Sequence, residues 1–72
     1  MEYGVVVFYS TSWALKAEKV AKEGGFEVKL IPTPRQISSD CGTALRFRWE
    51  DREALLDLLE SKGVRIEGVH KI

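Results

Sequence analysis

The segment Tyr3-Gly4-Val5-Val6-Val7-Phe8-Tyr9 limits the possible folds of this chain more than any other. It is aromatic and β-branched with little alternation, the pattern of a strand covered on both faces, and this reading places it at the centre of a sheet. The chain has 72 residues, enough for a single domain over residues 1–72. A domain of that size buries only about 60% of the surface its unfolded form exposes. No covalent staple is available to help. The one cysteine, Cys41, cannot close an internal disulfide, and no second Cys or nearby His completes a zinc site, so neither a metal nor a cofactor is implied.

Downstream, the elements follow in β-α-β-β-α-β order. Ser10, Thr11 and Ser12 offer three N-caps for a helix over Trp13 to Glu23, in which Ala14, Ala17, Val20 and Ala21 recur at helical spacing. Gly24-Gly25 ends it, because glycine takes the left-handed conformation cheaply. Phe26, Val28 and Leu30 alternate with Glu27 and Lys29 as a second, half-buried strand that Pro32 and Pro34 stop. Residues 33–42 have little apolar content and read as an exposed loop. A third strand carries Leu45, Phe47 and Trp49 on one face, Arg46 and Arg48 on the other. Glu50, Asp51 and Glu53 gather where the macrodipole of a second helix favours acids. Its buried stripe is Leu55, Leu58 and Leu59 with Leu56 at the margin, and Lys62 and Gly63 end it. Val64, Ile66 and Val69 then alternate with Arg65 and Glu67 as a last strand.

Right-handed crossovers turn this order into an α/β, two-layer, ferredoxin-like βαββαβ sandwich. Its antiparallel sheet of four strands is expected in the order 4-1-3-2, with two helices on one face. In that topology the loops after the first and second strands lie at the same end of the sheet. Arg35 to Gly42 therefore approach Ser10-Thr11-Ser12, and Cys41 comes within reach of the free N–H groups of a helix start.

Lone cysteines are usually small buried hydrophobes. Here the neighbours Ser38, Ser39, Asp40 and Gly42 are poor core material and point instead to a thiol in a solvent-exposed loop. A helix N-terminus contributes about 0.3–1 kcal/mol at an exposed site and a partly screened arginine such as Arg35 about 1 kcal/mol, both favouring thiolate. Asp40 opposes them. The expectation is a reactive thiol, not an extreme one. Gly42 reads both as a turn glycine of positive φ and as a residue whose missing side chain leaves the thiol approachable. His70 has no evident partner, Trp13 reads as a packing or rim residue, and Arg46 and Arg48 as solvated or paired charges on the open sheet face.

Composition excludes several classes. Eleven basic residues balance eleven acidic ones, so no net field steers the chain to nucleic acid or an anionic membrane. The run Val5-Val6-Val7-Phe8 is far short of a membrane span. Glu2 stands where a secretory signal carries basic residues, and a lone cysteine fits a reducing compartment, so the cytoplasm is the expected location. Soft-metal carriers of this fold place two cysteines where Ser10-Thr11-Ser12 stands. RNA binding is disfavoured because the third strand lacks the glycine-rich aromatic pattern.

The runs Val7-Phe8-Tyr9-Ser10-Thr11, Ala14-Leu15-Lys16-Ala17-Glu18, Leu30-Ile31-Pro32-Thr33-Pro34-Arg35 and Ile37-Ser38-Ser39-Asp40-Cys41-Gly42-Thr43-Ala44-Leu45-Arg46-Phe47 resemble the selenium/sulfur carrier-like family, formerly a domain of unknown function. The Pro-Arg pair, the serine-rich loop and Cys-Gly-x-Ala are its most specific part. The resemblance implies a bacterial or archaeal carrier whose Cys41 holds a persulfide or selenopersulfide, with Gly42 shaping its turn. Arg35, Ser10, Thr11 and Ser39 are the expected surrounding binding residues. The implied partners are sulfur or selenium donor and acceptor proteins. With neither a general base nor a metal site beside the cysteine, a carrier is expected and not an independent enzyme. Two alternatives stand: a non-catalytic interaction module whose open sheet face, flanked by Lys29, Arg46, Arg48 and Arg65, forms a homodimer, and a thiol redox sensor that dimerises through Cys41.

Overall fold

The computed structural model describes residues 2–39 and 41–72. Strand β1 (Tyr3–Val7) leads through Ser10 into helix α1 (Thr11–Glu23). Strands β2 (Val28–Pro32) and β3 (Thr43–Arg48) follow. A single 3-10 turn (Trp49–Asp51) then opens helix α2 (Arg52–Ser61), and β4 (Gly68–Lys71) closes the chain. This is a mixed α/β domain with a four-stranded antiparallel sheet and two helices.

The sheet order is β2-β3-β1-β4. Counted from the β2 edge it reads 2-3-1-4; the expected 4-1-3-2 names the same neighbours from the opposite edge. β1 is interior, and Val5, Val6, Val7 and Phe8 are all at most 1% exposed, which its unalternating apolar run requires. Register assigns the two faces: Val6 pairs Leu45 and Gly4 pairs Phe47 on one, while Val5 pairs Arg46 and Val7 pairs Ala44 on the other. The first face carries the main core, in which Val6, Phe8, Leu45 and Phe47 meet Ala14, Ala17 and Ala21 of α1 and Leu55 and Leu59 of α2. Three alanines on α1 let its backbone approach the sheet.

Both helices end in the same device. Gly25, at φ 84°, donates its N–H to the Lys22 carbonyl, and Phe26 donates to Ala21 (3.1 and 3.0 Å). Gly63, at φ 73°, and Val64 repeat this on Glu60 and Leu59 (3.0 Å each). These are Schellman closures, each followed by an apolar residue packed on the core.

That device corrects two element boundaries. Phe26 and Val64 are not strand residues: each is used as the apolar stop of a helix, so β2 begins at Val28 and β4 only at Gly68. Trp49 likewise lies in the 3-10 turn rather than in β3. A further correction concerns residues 33–42. Ile37 from this connection packs with Ile31 against Val5, Val7 and Ala44 on the sheet face away from the helices. The loop is folded onto the sheet, and the apolar side chains of β1 on that face are covered within one chain. On the same face Arg46 lies over the Tyr3 ring (4.5 Å) and Arg48 pairs with Glu27. Arg65 lies instead in the connection between α2 and β4, over the Tyr9 ring (5.6 Å). No helix among the described residues is long and apolar enough to cross a membrane.

Candidate functional site

Of the three candidate caps, Ser10 takes the role. Its extended backbone (φ −153°, ψ 161°) precedes the helix, and its Oγ accepts from the Trp13 N–H at 3.4 Å. Thr11 is therefore the first residue of α1, with its hydroxyl released from capping. Thr11 Oγ1 lies 3.7 Å from Cys41 Sγ. Topology thus delivers the cysteine to the opening turn of α1, as the chain order requires. No acidic residue in that first turn offsets the positive end of the helix.

Contrary to the expected thiol in a solvent-exposed loop, Cys41 is buried. Cys41 is only 4% exposed. The physical reason lies in the polar residues that made the loop look solvated, because several of them turn inward and fasten the backbone. Thr33, one residue beyond β2, donates its N–H to the Gly42 carbonyl (3.0 Å) and its hydroxyl to the Cys41 carbonyl (2.8 Å). Ser39 Oγ accepts from the Cys41 N–H at 3.2 Å. The Ser39 hydroxyl has one proton to donate, and Glu67 Oε1 at 2.6 Å outcompetes the Phe8 carbonyl at 3.5 Å for it. Glu67 is in turn fixed beside the end of β1, where its N–H donates to the Val7 carbonyl at 2.8 Å. A chain of contacts therefore runs from β1 through Glu67 and Ser39 to the amide of Cys41.

Glu67 is the residue that sequence reasoning missed. Alternation made it an outward side chain of the last strand, and nothing in the local pattern links it to Ser39. Only the tertiary fold carries that information, through the Glu67 N–H on the Val7 carbonyl that holds Glu67 beside the end of β1.

The other expected residues divide. Ser10, Thr11, Ser39 and Cys41 are brought to one end of the sheet. Arg35 is exposed, and no polar contact among the described residues joins it to the sulfur. Gly42 is adjacent but does not have the positive φ expected of it; among the described residues Gly25 and Gly63 alone do. A Cβ at Gly42 would meet nothing within 4 Å, and the turn argument does not hold. The expected opposing charge, Asp40, lies outside the described residues. His70, on β4, pairs with Val5, and no polar contact among the described residues joins it to the sulfur.

Chemically, the arrangement offers a single thiol, a hydroxyl that can donate to sulfur, and a helix N-terminus. Nucleophilic attack by this thiol requires that its cover be lifted.

A family model described as "Putative Se/S carrier protein-like" matches residues 3–71, nearly the whole chain. No curated protein and no solved structure matches.

Proposed function

The chain belongs to the Se/S carrier protein-like family, and on that premise we propose that Cys41 accepts one sulfur or selenium atom from a donor protein and passes it to an acceptor. In the sulfur case the Cys41 thiolate attacks the outer sulfur of a donor persulfide. A new S–S bond forms at Cys41 while the donor's S–S bond breaks, and the donor thiolate leaves with the bonding electron pair. Attack by an acceptor thiolate on the outer sulfur then regenerates Cys41.

The observation that carries this reading is the placement of the chain's one cysteine against Thr11 at the positive end of α1. The Thr11 hydroxyl and the helix start stand within reach of whatever atom the sulfur carries. Ser10 organises that helix start, Ser39 holds the cysteine amide, and Gly42 leaves room for a partner to approach. Arg35 is proposed to greet the partner, since it is exposed in the same connection. The ferredoxin-like assignment and a cytoplasmic location belong to the same reading. The first is supported by the neighbour order and by one core shared by both helices, the second by a lone cysteine's fit to a reducing compartment.

The two alternatives have less support. Val5 and Val7 are covered, which removes the apolar patch a sheet-face dimer would use, and a covered sulfur is poorly placed to bridge two whole chains.

The test is incubation with a cysteine desulfurase and sulfur-labelled cysteine. Wild type gains label that a thiol reductant removes, and Cys41→Ser gains none. Equal labelling of the two proteins ends the carrier reading.

A further inference from the structure

We infer that Glu67, acting through Ser39, is a positioning residue that keeps Cys41 covered, so that release of the Glu67–Ser39 contact governs access to the sulfur. Four observations converge on this. Cys41 is 4% exposed although its chain neighbours are polar. The Ser39 hydroxyl both accepts from the Cys41 N–H (3.2 Å) and donates to Glu67 Oε1 (2.6 Å), so the carboxylate orients the lone pair that the amide uses. Glu67 reaches this position from a different part of the chain, anchored by its own N–H on the Val7 carbonyl (2.8 Å). On the far side of the cysteine Thr33 fastens the backbone, with its hydroxyl on the Cys41 carbonyl (2.8 Å) and its N–H on the Gly42 carbonyl (3.0 Å).

The short charge-assisted contact is the strongest of these by type. It is also only part-buried, so water or a partner's donor group can compete for the carboxylate. A carrier whose cargo must be shielded between partners gains from such a clamp: the sulfur stays covered in the free protein and is uncovered when a docked partner takes over one hydrogen bond. This purpose rests on the carrier reading. The clamp itself does not, and its test needs no sulfur transfer.

The experiment measures the alkylation rate of Cys41 by iodoacetamide in the native protein, with urea midpoints recorded in parallel. Glu67→Ala and Ser39→Ala are each expected to raise the rate about tenfold, the shift expected when one part-exposed charge-assisted hydrogen bond is lost. Glu67→Gln, whose amide oxygen still accepts from Ser39, is expected to stay within about threefold of wild type, since only the charge is removed. The double variant is expected to react no faster than either single one, because the two residues act in series. A purely structural role would make the increases additive and strongly urea-dependent. Wild-type reactivity in Glu67→Ala, or additive increases in the double variant, overturns the clamp. Failure of desulfurase labelling with the alkylation pattern intact overturns the carrier reading instead.

Discussion

A sulfur packed against a threonine hydroxyl is chemically quiet until its surroundings move, so the residues around Cys41 matter for what they allow as much as for what they touch. Gly42 is the clearest case. Its backbone needs no left-handed φ, and a side chain there would point into open space. Gly42→Ala is therefore expected to leave stability within about 0.5 kcal/mol of wild type, as surface substitutions generally do. Its Cys41 alkylation rate is also expected to be unchanged. If the same variant loses desulfurase labelling while its urea midpoint holds, a partner must approach this Cα closely. Retained labelling would instead make Gly42 an ordinary linker residue. A second residue-scale contact joins the chain ends. Lys71 donates to Glu2 at 2.7 Å, and this hydrogen bond, with the lysine charge, holds the Glu2 carboxyl below the usual glutamate range. A folded-state value below the unfolded one means the contribution is present above the unfolded pKa and is lost as pH falls through the folded one. Carbon-detected titration should therefore show Glu2 moving back up toward the glutamate range in Lys71→Met. An unmoved titration would show that the pair does not persist in solution.

At the scale of elements, the two helix ends are built alike, and each depends on a glycine with φ near 80°: Gly25 at 84° and Gly63 at 73°. Ala at either position must enter the left-handed region, at a cost of about 1–2 kcal/mol. Urea unfolding is expected to show that loss for Gly25→Ala and Gly63→Ala but not for Gly42→Ala, so the contrast between the three alanines is the measurement. Equal midpoints for all three would remove the Schellman closures from the account. These closures also explain which elements could be read in advance. The alanine face of α1 follows directly from periodicity and interior β1 from its unalternating apolar run, whereas of the expected leucine stripe of α2 Leu55 and Leu59 are buried and Leu58 is only half-buried. The starts of β2 and β4 do not follow in this way. Phe26 and Val64 carry the alternation of a strand, yet each is used one step earlier as the apolar stop of a helix, and a period-two pattern cannot distinguish the two uses. The site divides in the same way. Strand order was enough to bring Cys41 to Thr11, whereas its cover depends on Ser39 and Thr33 turning their hydroxyls onto backbone groups. Composition reads those same side chains as solvated.

For the whole molecule, the consequence of placing both helices on one face is that the other face of the sheet must be sealed by something else. The connection that carries Cys41 does it. Ile37 packs on Val5, Val7 and Ala44, which are at most 1% exposed as a result, while Ile37 and Ile31 remain half-buried at the rim. One segment therefore seals the second, smaller core at one point and positions the thiol four residues later. Packing and site are coupled through it. Truncating Ile37 to Ala removes apolar cover from a half-buried position, so its cost should be about 1–2 kcal/mol, below the 2–5 typical of fully buried isoleucines. The coupling makes a second demand that simple destabilisation does not. Cys41 alkylation in Ile37→Ala should rise in the absence of denaturant, and the added rate should depend only weakly on urea, because the segment lifts without global unfolding. The apolar strand uncovered on that face should also promote concentration-dependent association beyond that of wild type at matched concentration, visible by light scattering. A variant that loses stability but keeps wild-type alkylation in buffer would separate the two functions of the connection, leaving Ile37 as a plug and the Ser39 and Thr33 contacts as what holds the sulfur covered.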